Sequence, residues 1–223
     1  SFTYTVTDSG GNTSQEAKIS IEIRKPTDKA TYADMDGDPD AFYAMWLKEA
    51  GLFTGATVGG NLCFEPEKTV SQGEFLVMVM KLVDAQADET GLTSGFSDEA
   101  ATPVWLQPYI VSALGSGMIS GVSSEDGVVF RPEAALSRAE AAVMLQNVLQ
   151  LPAPTAKTVF SETDAAAVPA WAADATAALS AAGISLGDTA QADAITRREV
   201  AKLLYEVSNL IAGETLETFY WAQ

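Results

Sequence analysis

Three short segments hold the groups best able to do chemistry: Ser71-Gln72-Gly73-Glu74, Ser137-Arg138-Ala139-Glu140 and Thr196-Arg197-Arg198-Glu199. Each sets a hydroxyl three residues before a carboxylate. Ser or Thr at a helix N-cap accepts a hydrogen bond from the backbone N–H three positions on, and a Glu there reaches back to the N–H of the cap. This is the reciprocal capping box, and it accounts for Glu74, Glu140 and Glu199 as helix-capping residues. It does not account for the arginines. The first helical turn disfavours a cation, so Arg138 and Arg197 stand against a local electrostatic rule. Beside the unpaired N–H groups of a helix start, a guanidinium makes a compact site for a carboxylate. The competing use is an ion pair with an acid of the chain itself. Residue pattern alone leaves both open.

The elements that must carry these segments repeat. Aligning the three S/T-x-x-E marks also aligns Phe64-x-Pro66 with Phe130-x-Pro132. Gly51 and Gly55 then match Gly117 and Gly121, and Gly183 and Gly187. Trp105 stands as far before Gly117 as Trp171 does before Gly183, and "FSD" at 96–98 matches "FSE" at 160–162 and, more loosely, "YAD" at 32–34. Self-similarity at one long period is the mark of a repeat architecture. Each unit reads as a lead-in motif, a first helix, a glycine-rich loop and a second helix, at 30–86, 93–150 and 157–212. The second helices, such as "FLVMVMKLV" (75–83), are apolar nearly all round, so they are expected to be buried on every side as a central three-helix bundle. The first helices are expected outside it.

Residues 1–24 follow another period. Phe2, Tyr4 and Val6, then Ile19, Ile21 and Ile23, alternate around Asp8–Asn12, the pattern of two strands and a turn. A lone hairpin is marginal in water. These strands therefore read as the end of a bacterial immunoglobulin-like module, in a chain expected to be a piece of a longer exported protein. Residues 25–29 read as a linker. At the other end, 213–223 reads as a tail whose aromatics are expected to fold back on the bundle.

Bulk composition narrows the function. The 223 residues carry 13 Lys plus Arg against 30 Asp plus Glu, a net charge of −17. That field repels nucleic acid and anionic membranes, and no apolar run is long enough to span a bilayer. Histidine is absent, which removes the commonest general base and transition-metal ligand. No phosphate-binding glycine loop is present. Binding without catalysis, metal or cofactor is the expectation. Alternating acids at Asp34–Asp40 suit a hard cation such as calcium, yet an EF-hand loop from Asp34 would need Gly where Pro39 stands and Glu where Met45 stands. Cys63, the one cysteine, lies between Leu62 and Phe64 and reads as a small buried hydrophobe or, less simply, a reactive thiol.

Residues 96–145, with FSD, Trp105, the paired glycines, F-x-P and "LSRAEAAVML", resemble an S-layer homology repeat. "ITRRE" (195–199) carries the same mark in the third unit, and "VSQGE" (70–74) is the divergent first copy. The resemblance implies a pseudo-threefold fold around a central bundle. It also implies a function: non-covalent anchoring of an exported protein to the bacterial cell wall. Secondary cell-wall polysaccharide would lie in grooves between repeats, often through a pyruvate ketal on a terminal N-acetylmannosamine. On that resemblance Arg138 and Arg197 would hold the ketal carboxylate, with Ser137 and Thr196 beside them. Trp105 and Trp171 would stack on sugar faces, the alternative being plain core packing. Asp98 and Glu162 would accept sugar hydroxyls, and Gly121 and Gly187 would admit ligand close to the backbone. The groove with Gly55, Ser71 and Gln72 would be degenerate, because Gln72 cannot neutralise a carboxylate. The other functional class left open is a protein–protein assembly module of a surface layer, docking partners through alanine-rich faces such as 165–182.

Overall fold

The computed structural model describes residues 2–19, 32–152, 168–187 and 190–221, with the backbone alone described at 2, 17–19 and 214–221. Glu162 lies outside the described residues. The chain divides into two compact units, Ser1–Ala30 and Thr31–Gln223.

In the first unit β1 (Phe2–Tyr4) pairs antiparallel with β2 (Ala17–Ile19). Asp8 organises the turn between them by accepting the N–H groups of Gly10 and Asn12 at 2.8 and 2.9 Å. Every described side chain of this hairpin is exposed, so it has no core of its own among the described residues.

The second unit is mainly helical. Its helices are α1 (Ala41–Glu49), α2 (Gln72–Leu82), α3 (Gln107–Gly115), α4 (Arg138–Leu149), α5 (Ala173–Ala181) and α6 (Arg197–Trp221). The apolar second helices are buried as their composition requires: Phe75 through Met80 of α2 are all buried, and Leu145 and Leu204 reach 0% exposure on α4 and α6. α2 packs against both α4 and α6. Each first helix packs on the second helix of the repeat before it in cyclic order: α3 on α2, α5 on α4, and α1 on α6. On α5 the small side chains Ala175, Ala177 and Ala178 are buried, which lets that helix approach closely.

The segments leading into the second helices exchange backbone hydrogen bonds in a closed cycle. Leu136 N–H donates to Val70 O (2.9 Å), Val70 N–H to Ile195 O (3.1 Å), and Ile195 N–H to Leu136 O (2.9 Å). All three side chains are buried.

Two details depart from the sequence reading. The loops of the first two repeats are β-hairpins: β3 (Ala56–Val58) with β4 (Asn61–Cys63), and β5 (Val122–Ser124) with β6 (Gly127–Val129). Gly59-Gly60, with φ of 57° and 85°, supplies the two left-handed residues that a tight hairpin turn wants. The last helix also continues past 212 to Trp221, so most of the expected tail is helix backbone; its side chains lie outside the described residues.

Candidate functional site

The helix starts were expected to offer unpaired N–H groups to an anion. They do not, and the reason is complete internal pairing. Ser137 N–H reaches Glu140 at 2.8 Å and Glu140 N–H reaches the Ser137 hydroxyl at 3.2 Å. Ser71 with Glu74, and Thr196 with Glu199, repeat the exchange. The next two N–H groups of each helix go to carbonyls of another repeat. Gln72 and Gly73 donate to Ala134 and Pro132, Arg138 and Ala139 to Asp193 and Gln191, and Arg197 and Arg198 to Lys68 and Pro66. All four orphan donors of a helix start are thus satisfied in each case. The Ser137 and Thr196 hydroxyls also bond their own capping glutamates. A ligand role for these groups is therefore corrected to a capping one.

The arginines are likewise committed. Arg138 is 3% exposed; its guanidinium is ion-paired with Glu199 and donates to the carbonyls of Asp193 and Ala194. Arg197 is 6% exposed, donates to Phe64 O at 2.9 Å and Glu65 at 2.8 Å, and stacks over the Phe53 ring at 4.6 Å. Gln72, at the same helical position, donates to Glu140 at 3.1 Å. So the first side chain of each second helix reaches an acid of another repeat, and two of those acids are capping glutamates. Burial raises the carboxyl of Glu199, but the N–H and hydroxyl of Thr196 and the Arg138 guanidinium outweigh it and hold it below the usual range. Arg197 holds Glu65 low in the same sense.

Three of the four acids of "DMDGDPD", Asp34, Asp38 and Asp40, are also paired within the chain. Asp34 accepts the N–H groups of Phe64 and Glu65 at 2.8 and 2.6 Å. Asp98 does the same for Phe130 and Arg131 at 3.1 and 2.7 Å. Both clasps fix a residue in the left-handed region, Glu65 at φ 56° and Arg131 at φ 59°. Asp98, expected to accept sugar hydroxyls, is thus occupied in tying a hairpin to the start of its repeat. Arg198 bonds Asp38, Asp40 and Glu67, and Lys202 bonds Asp40 at 2.9 Å. This network joins the first repeat to the last helix and answers the calcium pattern with cations of the chain. The glycines are also internal: a Cβ at Gly121 would strike Val128 and Phe96, and one at Gly55 would strike Tyr32. A Cβ at Gly187 would meet nothing within 4 Å, and its φ of 82° marks a turn. Cys63 is half-buried; burial first, then Asp34 and Glu65, push its thiol up.

Among the described residues, two open clefts are each walled by an exposed tryptophan. Trp105 is 57% and Trp171 62% exposed, so neither is a core residue. In the first cleft Trp105 faces Phe53, Phe64, Met78, Glu74 and Arg197 around about 130 Å³. In the second Trp171 faces Ile119, Phe130, Met144, Asn147 and Gln72 around about 440 Å³. The two are copies: Phe53 matches Ile119, Phe64 matches Phe130, Met78 matches Met144, and Arg197 stands where Gln72 does. Replacing a stacked Arg and Phe with Gln and Ile leaves the second cleft roomier. The cleft that contains Gln72, expected to be the degenerate groove, is thus the larger of the two. Arg131, exposed at the rim of the second cleft, escaped the sequence reading. Its signal was its place as the middle residue of Phe130-Arg131-Pro132, where the first repeat has Glu65.

No protein-family model matches the chain, and no curated protein matches it. Among the described residues no helix is long and apolar enough to cross a membrane, and no cluster of acids and cysteine is arranged to hold a metal ion.

Proposed function

We propose that this chain is a cell-wall anchoring unit of the S-layer homology type, with three repeats in pseudo-threefold order around α2, α4 and α6. It binds wall polysaccharide outside the cell, in the clefts between repeats, and does no chemistry on it. The closed cycle through Val70, Leu136 and Ile195 supports the threefold reading, as does the cyclic packing of first on second helices. The observation that carries the functional reading is the second cleft. A broad, exposed indole at Trp171 faces Gln72, Asn147 and Arg131 across an apolar floor. Sugars present alternating C–H faces and hydroxyl edges; a flat aromatic suits the faces, and planar amide and guanidinium groups suit the edges. The competing assembly reading draws less support, because Ala172, Ala175, Ala177 and Ala178 of its alanine-rich face are buried, on elements that pack against α4.

The test is retention on purified walls carrying their polysaccharide. Trp171→Ala is expected to weaken retention about tenfold, since aromatic contacts of this kind are worth roughly 0.5–1.5 kcal/mol beyond area. Its melting temperature stays unchanged, because the side chain is exposed. Retention of Trp171→Ala at the wild-type level, or no wall binding by the parent chain, sinks the proposal.

A further inference from the structure

The first cleft differs from the second in chemistry as well as in size. It measures about 130 Å³ against about 440 Å³, and much of its wall belongs to the core: Leu47, Val70, Met78 and Val200 line it and are all buried. Phe53 and Phe64, which meet edge to face at 5.6 Å, add two rings. Trp105 adds a third, more than half of it in solvent. Two charged side chains reach this cleft, Arg197 and Glu74, and both are turned to the chain itself. Arg197 donates to Phe64 O and Glu65 and lies over the Phe53 ring. Glu74 accepts the Ser71 N–H at 3.0 Å. The second cleft instead carries Gln72, Asn147 and Arg131 among its lining.

Protein interiors hold few voids larger than a water molecule, so a hollow of this size walled by core side chains is out of the ordinary. An apolar cavity of about 150 Å³ is roomy enough to bind benzene. A sugar would bring hydroxyls to a wall of methyl, methylene and ring groups, and a hydroxyl buried without a hydrogen bond is costly. An anion would meet an arginine already paired with Glu65, on a chain of net charge −17. A small neutral ring meets neither obstacle, and the faces and edges of Phe53, Phe64 and Trp105 suit it. We infer that the first cleft is a binding site for a small, uncharged aromatic molecule of about benzene's size, with Trp105 as its outer wall. This goes beyond the polysaccharide reading, which the second cleft carries, and does not rest on it.

The experiment titrates the 223-residue chain, isotope-labelled at its methionine methyl groups, with toluene and with benzoate, and follows the methyl signals by NMR. Met78 lines the first cleft and its counterpart Met144 the second, so one spectrum reads both; Met78→Leu and Met144→Leu assign the two signals. Toluene is expected to shift the Met78 signal saturably, with a dissociation constant on the order of 1 mM, and to leave Met144 in place. Benzoate, the same ring carrying a charge, should bind at least about tenfold more weakly. Trp105→Ala should weaken toluene binding about fivefold, and Trp171→Ala should leave it unchanged. Both indoles are exposed, so both variants should fold as the parent does, read by their melting temperatures. A Met78 signal that stays in place in toluene-saturated buffer overturns the inference. So does an equal shift at Met144, benzoate binding as tight as that of toluene, or toluene affinity unchanged in Trp105→Ala.

Discussion

At the scale of single residues, Arg138 shows what a local rule can and cannot reveal. Its capping neighbours were legible because a capping box closes within three residues. Its own purpose was not, because its carboxylate partner Glu199 lies 61 residues away. The same holds for Arg197, whose acid lies 132 residues back. An arginine placed against the helix dipole was correctly marked as serving something other than the helix, but sequence could not say whether that was a ligand or another repeat. The structural role has a sharp consequence. Removing one member of a largely buried pair leaves the other charge uncompensated, whereas replacing the cation with an apolar chain of similar length costs less. Arg138→Ala is therefore expected to destabilise the fold by about 2 kcal/mol, and Arg138→Met by clearly less. Urea unfolding of both variants checks this. Equal stability of Arg138→Ala and the parent would return the arginine to the pool of candidate ligand contacts.

At the scale of elements, the helices were legible and the hairpins were not. Caps marked the starts of α2 and α4, and burial on all sides leaves a long apolar signature behind each start. The hairpins are three residues a strand, too short for alternation to stand out, and their turn residues were read as loop. They matter because they set the clefts. Asp34 and Asp98 hold them, and Gly121 sets the distance at which β5 passes β6 and Phe96. Gly121 has no positive φ, so the demand for glycine is one of space, not conformation. Adding a methyl group there forces Val128 and the Phe96 ring aside. Overpacking of this kind costs roughly 1–3 kcal/mol, and Gly121→Ala is expected to lose that much in denaturant unfolding. On the proposed wall-binding role it should also weaken retention, since Phe130, which stacks on Phe96 at 6.0 Å, is part of the second cleft. Gly187→Ala tests a different property, a turn with φ of 82°, and its effect should stay local to the third repeat.

At the scale of the helical unit, the first and last repeats meet, and part of that contact is ionic. A linear repeat array contacts only nearest neighbours and leaves its ends open. In this chain the first and last repeats meet through α1 on α6, through Val70 on Ile195, and through Arg198 held among Asp38, Asp40 and Glu67. Arg198 draws Asp38 below its ordinary carboxylate value. At Asp40 burial pulls upward, but Arg198 and Lys202 together prevail and the net shift is also downward. The two acids in turn push Arg198 up, so the guanidinium stays charged throughout. Because the folded values lie below the unfolded ones, the unfolded chain takes up protons first as pH falls. The stability these acids supply is therefore complete above the unfolded carboxylate range, about pH 4, and is lost as pH drops through the lower folded values. Acidification also relieves repulsion across a chain of net charge −17, an effect that acts on parent and variant alike. Comparison with Arg198→Ala isolates the ionic contact: the parent should be the more stable at pH 7, and the gap should narrow steadily below about pH 4. Thermal unfolding of the two proteins from pH 7 to pH 3 measures it. A gap that stays constant across that range would mean that Arg198 stabilises by packing its stem, and that the first and last repeats stay joined without the help of these charges.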